Sequence, residues 1–109
     1  MTSYFTHYRA HVGARAGKHY KATLFQGDHL MVGINCLEPG QVQLAHEHAG
    51  ADKVYLVMEG TGWFTVGEET REAGAGEVVW APAGAPHGVE NRANARLVLL
   101  VGIAPPPSS

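Results

Sequence analysis

Three histidines in two separated segments have the spacing of a metal-ion site. His46 and His48 stand two residues apart, and His87 follows much later in the chain. Residues i and i+2 of a β-strand point to the same face of the sheet, so the first two imidazoles would share a face. A third imidazole from a distant strand would complete a three-nitrogen site that leaves positions on the ion open for water or substrate. Structural histidines are the alternative, although burying two on one face requires hydrogen-bond partners for four ring nitrogens.

Short strands separated by turn residues must position these histidines. The sequence contains 14 glycines and 6 prolines, and the segments between them are short and rich in β-branched and aromatic residues. This pattern favours an all-β sandwich or barrel, and no long segment carries a helical apolar stripe. We therefore predict little or no helix, and strands over residues 22–25, 30–37, 41–48, 53–58, 62–66, 77–81, 87–91 and 97–103.

The composition indicates one domain with two extensions. With 109 residues, the chain suits a single core. We divide it into an N-terminal arm (1–20), a barrel (21–104) and a proline-rich tail (105–109) that cannot continue a sheet. The arm either packs on a partner subunit or is a solvated terminus, and we expect mobility before Lys18.

Charge and hydropathy exclude several classes of partner. The net charge is −2 and 17% of the residues are charged, so no broad positive field attracts nucleic acid or an anionic membrane. No apolar run approaches the roughly 20 residues of a membrane span. No secretory signal is visible, so we expect a cytoplasmic location. Cys36 is the only cysteine, lies in an apolar run, and is interpreted as a small buried hydrophobe.

Two segments resemble the signature motifs of the cupin superfamily. The first motif matches at four of its five fixed positions and the second at all five. The matching residues are Gly40, His46, His48 and Gly60, followed by Gly76, Pro82, Gly84, His87 and Asn91. The resemblance implies a cupin-type jelly-roll β-barrel. It also implies that His46, His48 and His87 are ligands of one divalent transition metal ion, with Fe, Mn, Zn, Ni and Co as candidates.

The first motif departs from the family pattern at Lys53. Similar proteins usually carry a glutamate ligand with six residues between it and the closing glycine, which is the position of Lys53. An ammonium about 4 Å from a divalent ion would be repelled by about 8 kcal/mol at an effective dielectric near 20. Lys53 therefore turns away, becomes neutral, or faces an empty site. A bulge at Gly50 would instead swing Asp52 inward as a fourth ligand. We favour an outward Lys53, because burying an ammonium beside a metal adds desolvation to repulsion.

The remaining cavity residues follow from strand parity. Tyr55 and Val57 share the parity of Lys53, so all three would line the cavity if Lys53 does. We favour packing over substrate orientation for Tyr55. Gln43 lacks the inward parity of His46, but it lies in a segment where an irregular entry to the strand is conceivable.

Two classes of function fit this pattern. The first is a metal-binding cupin that acts on a small molecule in the barrel cavity, as a dioxygenase or an isomerase. The alternative is a non-catalytic small-molecule-binding or sensing module, in which a cavity lysine would suit a carboxylate ligand. Whether the protein is an enzyme is left open by the sequence. We also predict a homodimer, because a small barrel has open sheet edges. Residues 20–25 are a plausible exchanged strand.

Overall fold

The computed structural model of the chain describes residues 3–46 and 50–107, with the backbone alone for residues 45 and 46. These residues form a short 3-10 helix, Tyr8–His11, and nine strands. The strands are β1 (Tyr20–Gln26), β2 (Met31–Leu37), β3 (Val42–His46), β4 (Asp52–Glu59), β5 (Thr61–Val66), β6 (Glu69–Gly74), β7 (Val78–Ala81), β8 (His87–Glu90) and β9 (Leu97–Ala104). The predicted all-β class is confirmed. In the described part of the chain, no helix has the length and apolar character of a membrane span.

The strands form two antiparallel sheets. The first sheet has the order β1-β2-β9-β4-β7, and the second has the order β3-β8-β5-β6. The last strand, β9, lies between β2 and β4, so strands from the first and last parts of the sequence are neighbours in one sheet. The chain crosses between the sheets before and after the segment that contains His46. This topology brings β3 and β8, which carry the two histidine segments, next to each other.

The sequence analysis missed β6. Its first four residues, Glu69 to Glu72, are polar and exposed at the edge of the second sheet, and only Ala73 is buried. A two-residue turn that contains Gly67, with φ of 59°, connects it to β5 and sets Val66 opposite Glu69. The backbone ladder to β5 holds this strand, and it contributes little apolar burial. A strand of this kind leaves no alternating pattern in the sequence.

The main core fills the space between the two sheets. Its buried side chains are Leu37, Tyr55, Val57, Phe64, Ala73, Ala81, Val89, Leu97, Leu99 and Val101. A second cluster lies on the outer face of the first sheet and consists of Ile34, Cys36 and Val98. The predicted burial of Cys36 is confirmed, because its side chain is only 1% exposed.

The N-terminal arm covers that outer cluster. Tyr8 and Val12 pack against it. The Tyr8 hydroxyl donates to Glu59 Oε2 at 2.8 Å, and Arg96 donates to Glu59 Oε1 at 3.2 Å. The arm thus contacts the barrel through Tyr8 and Val12, and its expected mobility before Lys18 stays a prediction. The apolar outer face of the sheet would otherwise be exposed to water, which favours the contact.

Candidate functional site

A β-bulge in β3 brings His46 into register with His87. Gln43 pairs with Val89, and His46 pairs with His87, so β3 contains one more residue than β8 between the two pairs. One extra residue reverses the face to which the later residues of a strand belong. Gln43 and His46 therefore both stand opposite residues whose side chains are buried, Val89 and His87. The irregular entry considered for Gln43 is present, and the Gln43 side chain is buried in the barrel.

His87 is held in one tautomer. Its side chain is 2% exposed, and Nδ1 lies 3.0 Å from the carbonyl oxygen of Ala85. A carbonyl oxygen only accepts, so Nδ1 carries a proton and donates it, and in a neutral ring the lone pair is then on Nε2. Metal-ligating histidines commonly have this arrangement, in which a backbone carbonyl fixes the ring and its tautomer.

The other two histidines are described less fully. His48 lies outside the described residues, and His46 is described by its backbone alone. Among the described side chains, no group of three His, Cys, Asp or Glu is close enough to hold a metal ion. The ligand set His46, His48 and His87 therefore stays a prediction, to which the structure adds the β3–β8 register and the tautomer of His87.

Lys53 lies inside the barrel, so the outward orientation that we favoured is wrong. Its side chain is 5% exposed, and the buried positions of β4 alternate through Lys53, Tyr55 and Val57. Pairing is regular on both sides of Lys53, opposite Ile103 and Ala81. No bulge separates Lys53 from the two core residues that follow it. Their apolar burial therefore carries Lys53 to the same face.

Burial and a neighbouring cation lower the pKa of Lys53. Its ammonium lies 4.8 Å from the centre of the Tyr55 ring, whose electron-rich face attracts a cation. Desolvation first, and the charge of Lys21 second, lower the pKa of Lys53 from 10.5 to about 8. The ammonium is therefore mostly protonated at pH 7, in surroundings that disfavour its charge.

Asp52 points away from the cavity. It is exposed, and its Oδ1 accepts a hydrogen bond of 2.9 Å from the backbone N–H of Ala83. Because neighbouring residues of a strand face opposite sides, the inward Lys53 requires an outward Asp52. The alternative in which Asp52 turns inward as a ligand is not adopted.

Tyr55 connects the two sheets at the centre of the site. It is fully buried, and its hydroxyl donates to Gln43 Oε1 at 3.0 Å. Its ring packs edgewise on Phe64 and on His87, with centroid separations of 5.3 and 6.2 Å. Burial raises the pKa of the phenol, so it remains protonated. These contacts give Tyr55 a packing role and also place it between the lysine and the histidine.

A cavity of about 800 Å³ opens beside this cluster. Its lining comes from β1, β2, β3, β4, β9 and the residues just before β1, and it includes Lys53 and Gln43. Lys18, His19 and Lys21 also line it, and sequence reasoning did not assign them to a site. Desolvation first, and then the charge of Lys21, lower the pKa of His19. Only the sheet order β1-β2-β9-β4 brings these residues to the cavity that contains Lys53.

The glycines of the two motifs shape the turns around the histidine strands. Gly40, Gly60, Gly76 and Gly84 all have positive φ, between 81° and 90°. At Gly60 a side chain is excluded twice, because an added Cβ would also collide with the carbonyl of Arg96. These four positions of the two motifs therefore favour glycine because of the backbone conformation of their turns.

Asn91 ties the end of the second motif to the core. It is fully buried, and its Nδ2 donates to the carbonyl oxygens of Leu37 and Ala95, both at 2.9 Å. Its Oδ1 accepts from the backbone N–H of Ala93 at 3.0 Å. This motif residue therefore has a structural role, which is to anchor the chain just after β8, the strand that carries His87.

Comparisons with known proteins agree with this architecture. Residues 33–103 match the Cupin domain family. SCO3923 of Streptomyces coelicolor is 37% identical over 79 residues, which cover 72% of this chain and 73% of that protein. MJ1618 of Methanocaldococcus jannaschii is 33% identical over 67 residues, which cover 62% of this chain and 54% of that protein. The chain thus matches about half the length of this archaeal relative.

A solved structure shows the same fold over nearly the whole chain. The crystal structure of TT1209 from Thermus thermophilus is 38% identical and superimposes with a TM-score of 0.91. The superposition covers 94% of this chain and 98% of that one. The family match over most of the barrel, the two motifs and the two-sheet architecture lead to one conclusion: this chain belongs to the cupin superfamily and has the predicted jelly-roll β-barrel.

Proposed function

We propose that this cupin binds one divalent transition metal ion through His46, His48 and His87 and acts on a small molecule in the adjoining cavity. The observation that carries the proposal is the pairing of His46 with His87, whose Nδ1 is hydrogen-bonded to Ala85. Directly paired residues of an antiparallel ladder share a face. Imidazoles at 46, at 48 and at 87 would then face one point inside the barrel.

The donor set suits borderline metals. Imidazole nitrogens bind Fe, Mn, Zn, Ni and Co, and a neutral His87 with its lone pair on Nε2 fits such an ion. The ion would supply Lewis acidity, and iron would add redox chemistry with dioxygen. Three neutral ligands leave the ion its full positive charge. This favours substrates with enolate or diketone-like oxygens, and dioxygenation or isomerisation as the reaction.

The residues around the histidines would orient the substrate and exclude water. Tyr55 holds Gln43 through its hydroxyl, so the Gln43 amide is fixed at the cavity wall. Lys53 presents an ammonium to the same cavity. Charge attraction from Lys53 would orient an anionic group of the substrate at one end, while the reacting atoms lie towards the histidines.

A non-catalytic binding or sensing module is the second candidate. The observation in its favour is again Lys53, which occupies the position of the usual acidic ligand with its side chain inside the barrel. An ammonium there opposes a divalent ion. A barrel without a metal would still hold a small molecule in the cavity.

Metal content separates the two candidates. We expect chelator-treated, tag-free protein to take up one equivalent of at least one of Fe, Mn, Zn, Ni and Co, as measured by elemental analysis after desalting. His48→Ala should lose this binding. His29→Ala, at an exposed turn, should retain it. Bound metal should also raise the melting temperature by mass action. A wild type that binds none of the five metals would leave only the second candidate.

We also propose a homodimer, and we retain the cytoplasm as its proposed location. In the described residues β1 pairs with β2 and forms the outer edge of the first sheet, so the exchange of residues 20–25 between two copies stays a prediction. At the opposite edge of the sheet, Val54, Val78 and Trp80 are exposed on β4 and β7. A second copy would cover an open edge and this apolar surface. Light scattering at micromolar concentration should give twice the chain mass of 11.6 kDa, whereas the mass of one chain would contradict the proposal.

A further inference from the structure

All three lysines of the sequence line one cavity. They are Lys18, Lys21 and Lys53, and His19 lies among them. The lining contains no aspartate or glutamate among the residues that the structure describes. None of the three lysines forms an ion pair with a described carboxylate. Because the whole chain has a net charge of −2, this local excess of positive charge does not follow from composition.

Contact with water stabilises the charges of only two of these three lysines. Lys18 and Lys21 are exposed at the rim of the cavity, where water screens their charges. Lys53 is 5% exposed, and the charge that shifts its pKa is that of another cation, Lys21. Buried ammonium groups are usually paired with a carboxylate. An anion in the cavity would supply the missing counter-charge.

Two further groups face the same space with hydrogen-bonding capacity. Both ring nitrogens of His19 are buried and have no hydrogen-bond partner among the described residues. Gln43 accepts the Tyr55 hydrogen bond through Oε1, so the donors of its amide NH₂ remain for a ligand. The donors of this wall therefore outnumber its acceptors, as recognition of an anion requires.

The rest of the lining is apolar. Met31, Val101 and Ile103 stand on the inner face of the first sheet, and Ile103 is paired directly with Lys53. A volume of about 800 Å³ lies within the range of small-molecule sites, which extends from about 300 to 1,000 Å³. Such a wall favours a ligand with an apolar body over a bare inorganic ion.

We infer that the cavity binds a small organic carboxylate, with its carboxylate group at Lys53 and Lys21 and its apolar body against Met31, Val101 and Ile103. This inference deepens the proposed function by naming the substrate class of the same cavity, and it rests on that proposal for its catalytic meaning. The binding itself requires no metal.

Benzoate and benzamide are the matched probes for this site, because they differ in charge and hardly in shape. We expect calorimetric titration of chelator-treated protein at pH 7 to give benzoate binding at least about tenfold tighter than benzamide binding. Lys53→Met should weaken benzoate about tenfold or more, and Lys21→Met, at an exposed position, should weaken it about threefold. Arg71→Met removes a charge outside the cavity and should leave benzoate affinity unchanged.

Three results would overturn the inference. They are equal affinity for benzoate and benzamide, wild-type benzoate affinity in both lysine variants, and inorganic phosphate binding as tightly as benzoate. The measurement is independent of the metal question, because metal uptake is determined separately by elemental analysis. Benzoate binding without metal uptake would support this inference and contradict the metal proposal, and the reverse outcome would do the opposite.

Discussion

Replacing Lys53 by glutamate is expected to tighten the binding of a divalent transition metal by about a hundredfold, since each factor of ten corresponds to about 1.4 kcal/mol. The substitution removes an ammonium that is inside the barrel. It also adds an oxygen ligand at the position where similar cupins usually carry one. Even at a separation of about 8 Å and an effective dielectric near 20, a lysine and a divalent ion repel by about 4 kcal/mol. Relaxation and screening reduce this figure, so we expect only part of it in the measured affinity.

Two companion variants separate the contributions to this effect. Lys53→Met removes the charge without adding a ligand, so it should tighten binding by about tenfold. Asp52→Ala should be silent, because Asp52 is exposed and bonded to the backbone of Ala83. Competition against a chelator of known affinity measures the metal affinity of the wild type and of each variant. Equal affinities for wild type, Lys53→Met and Lys53→Glu would show that the metal, if bound, lies away from this lysine.

Replacing Lys53 by methionine is also expected to raise the free energy of unfolding by about 3 kcal/mol at pH 7, because one pKa unit corresponds to about 1.4 kcal/mol. Folding lowers the pKa of Lys53 from 10.5 to about 8. The Lys53 amine therefore binds a proton less tightly in the folded chain than in the unfolded chain. The protonated lysine thus lowers the free energy of unfolding. Methionine has a similar length and no charge to desolvate, and it suits the apolar side of the cavity.

The pH dependence gives this second prediction a definite sign. Below pH 8 both states are protonated, and the destabilisation by Lys53 is at its full value. Between pH 8 and 10.5 the folded state is mostly neutral while the unfolded state still binds the proton, so the wild type gains stability relative to Lys53→Met as pH rises. Above the unfolded pKa of 10.5, the lysine is neutral in both states and no longer destabilises the fold.

Chemical denaturation of both proteins at pH 7 and pH 10 measures this change. Lys18→Met provides the control, since Lys18 is exposed on the same cavity, and it should shift stability by less than about 0.5 kcal/mol. A Lys53→Met protein that is less stable than the wild type at pH 7 would contradict the prediction. That result would mean that the contact between the ammonium and the Tyr55 ring outweighs desolvation.

Residue types and their spacing along the sequence determined the turns, the strand faces and the all-β class of this protein. Turns with a positive φ favour glycine. Gly60 and Gly84 therefore indicate turns in the sequence before the pairing of the strands is known. Alternation along β4 places Lys53, Tyr55 and Val57 on one face without reference to any other strand. The all-β class follows from the same two patterns. The polar edge strand β6 escaped them, because pairing with β5 holds it and its own side chains contribute little burial.

Choices between two local possibilities were decided only by the tertiary structure. Alternation could not say which face of β4 is inside, and burial of Tyr55 and Val57 decided that Lys53 follows them. The bulge that sets both Gln43 and His46 opposite buried residues of β8 exists only in the pairing of two strands that are distant in sequence.

The basic cavity is the clearest case of such a decision. Lys21 and Lys53 are 32 residues apart in the sequence, and β2 and β9 lie between their strands in the sheet. Sequence reasoning could assign each lysine a face but not a neighbour. Strand order across a sheet depends on which apolar faces pack together, and long-range burial decides this where residue spacing does not.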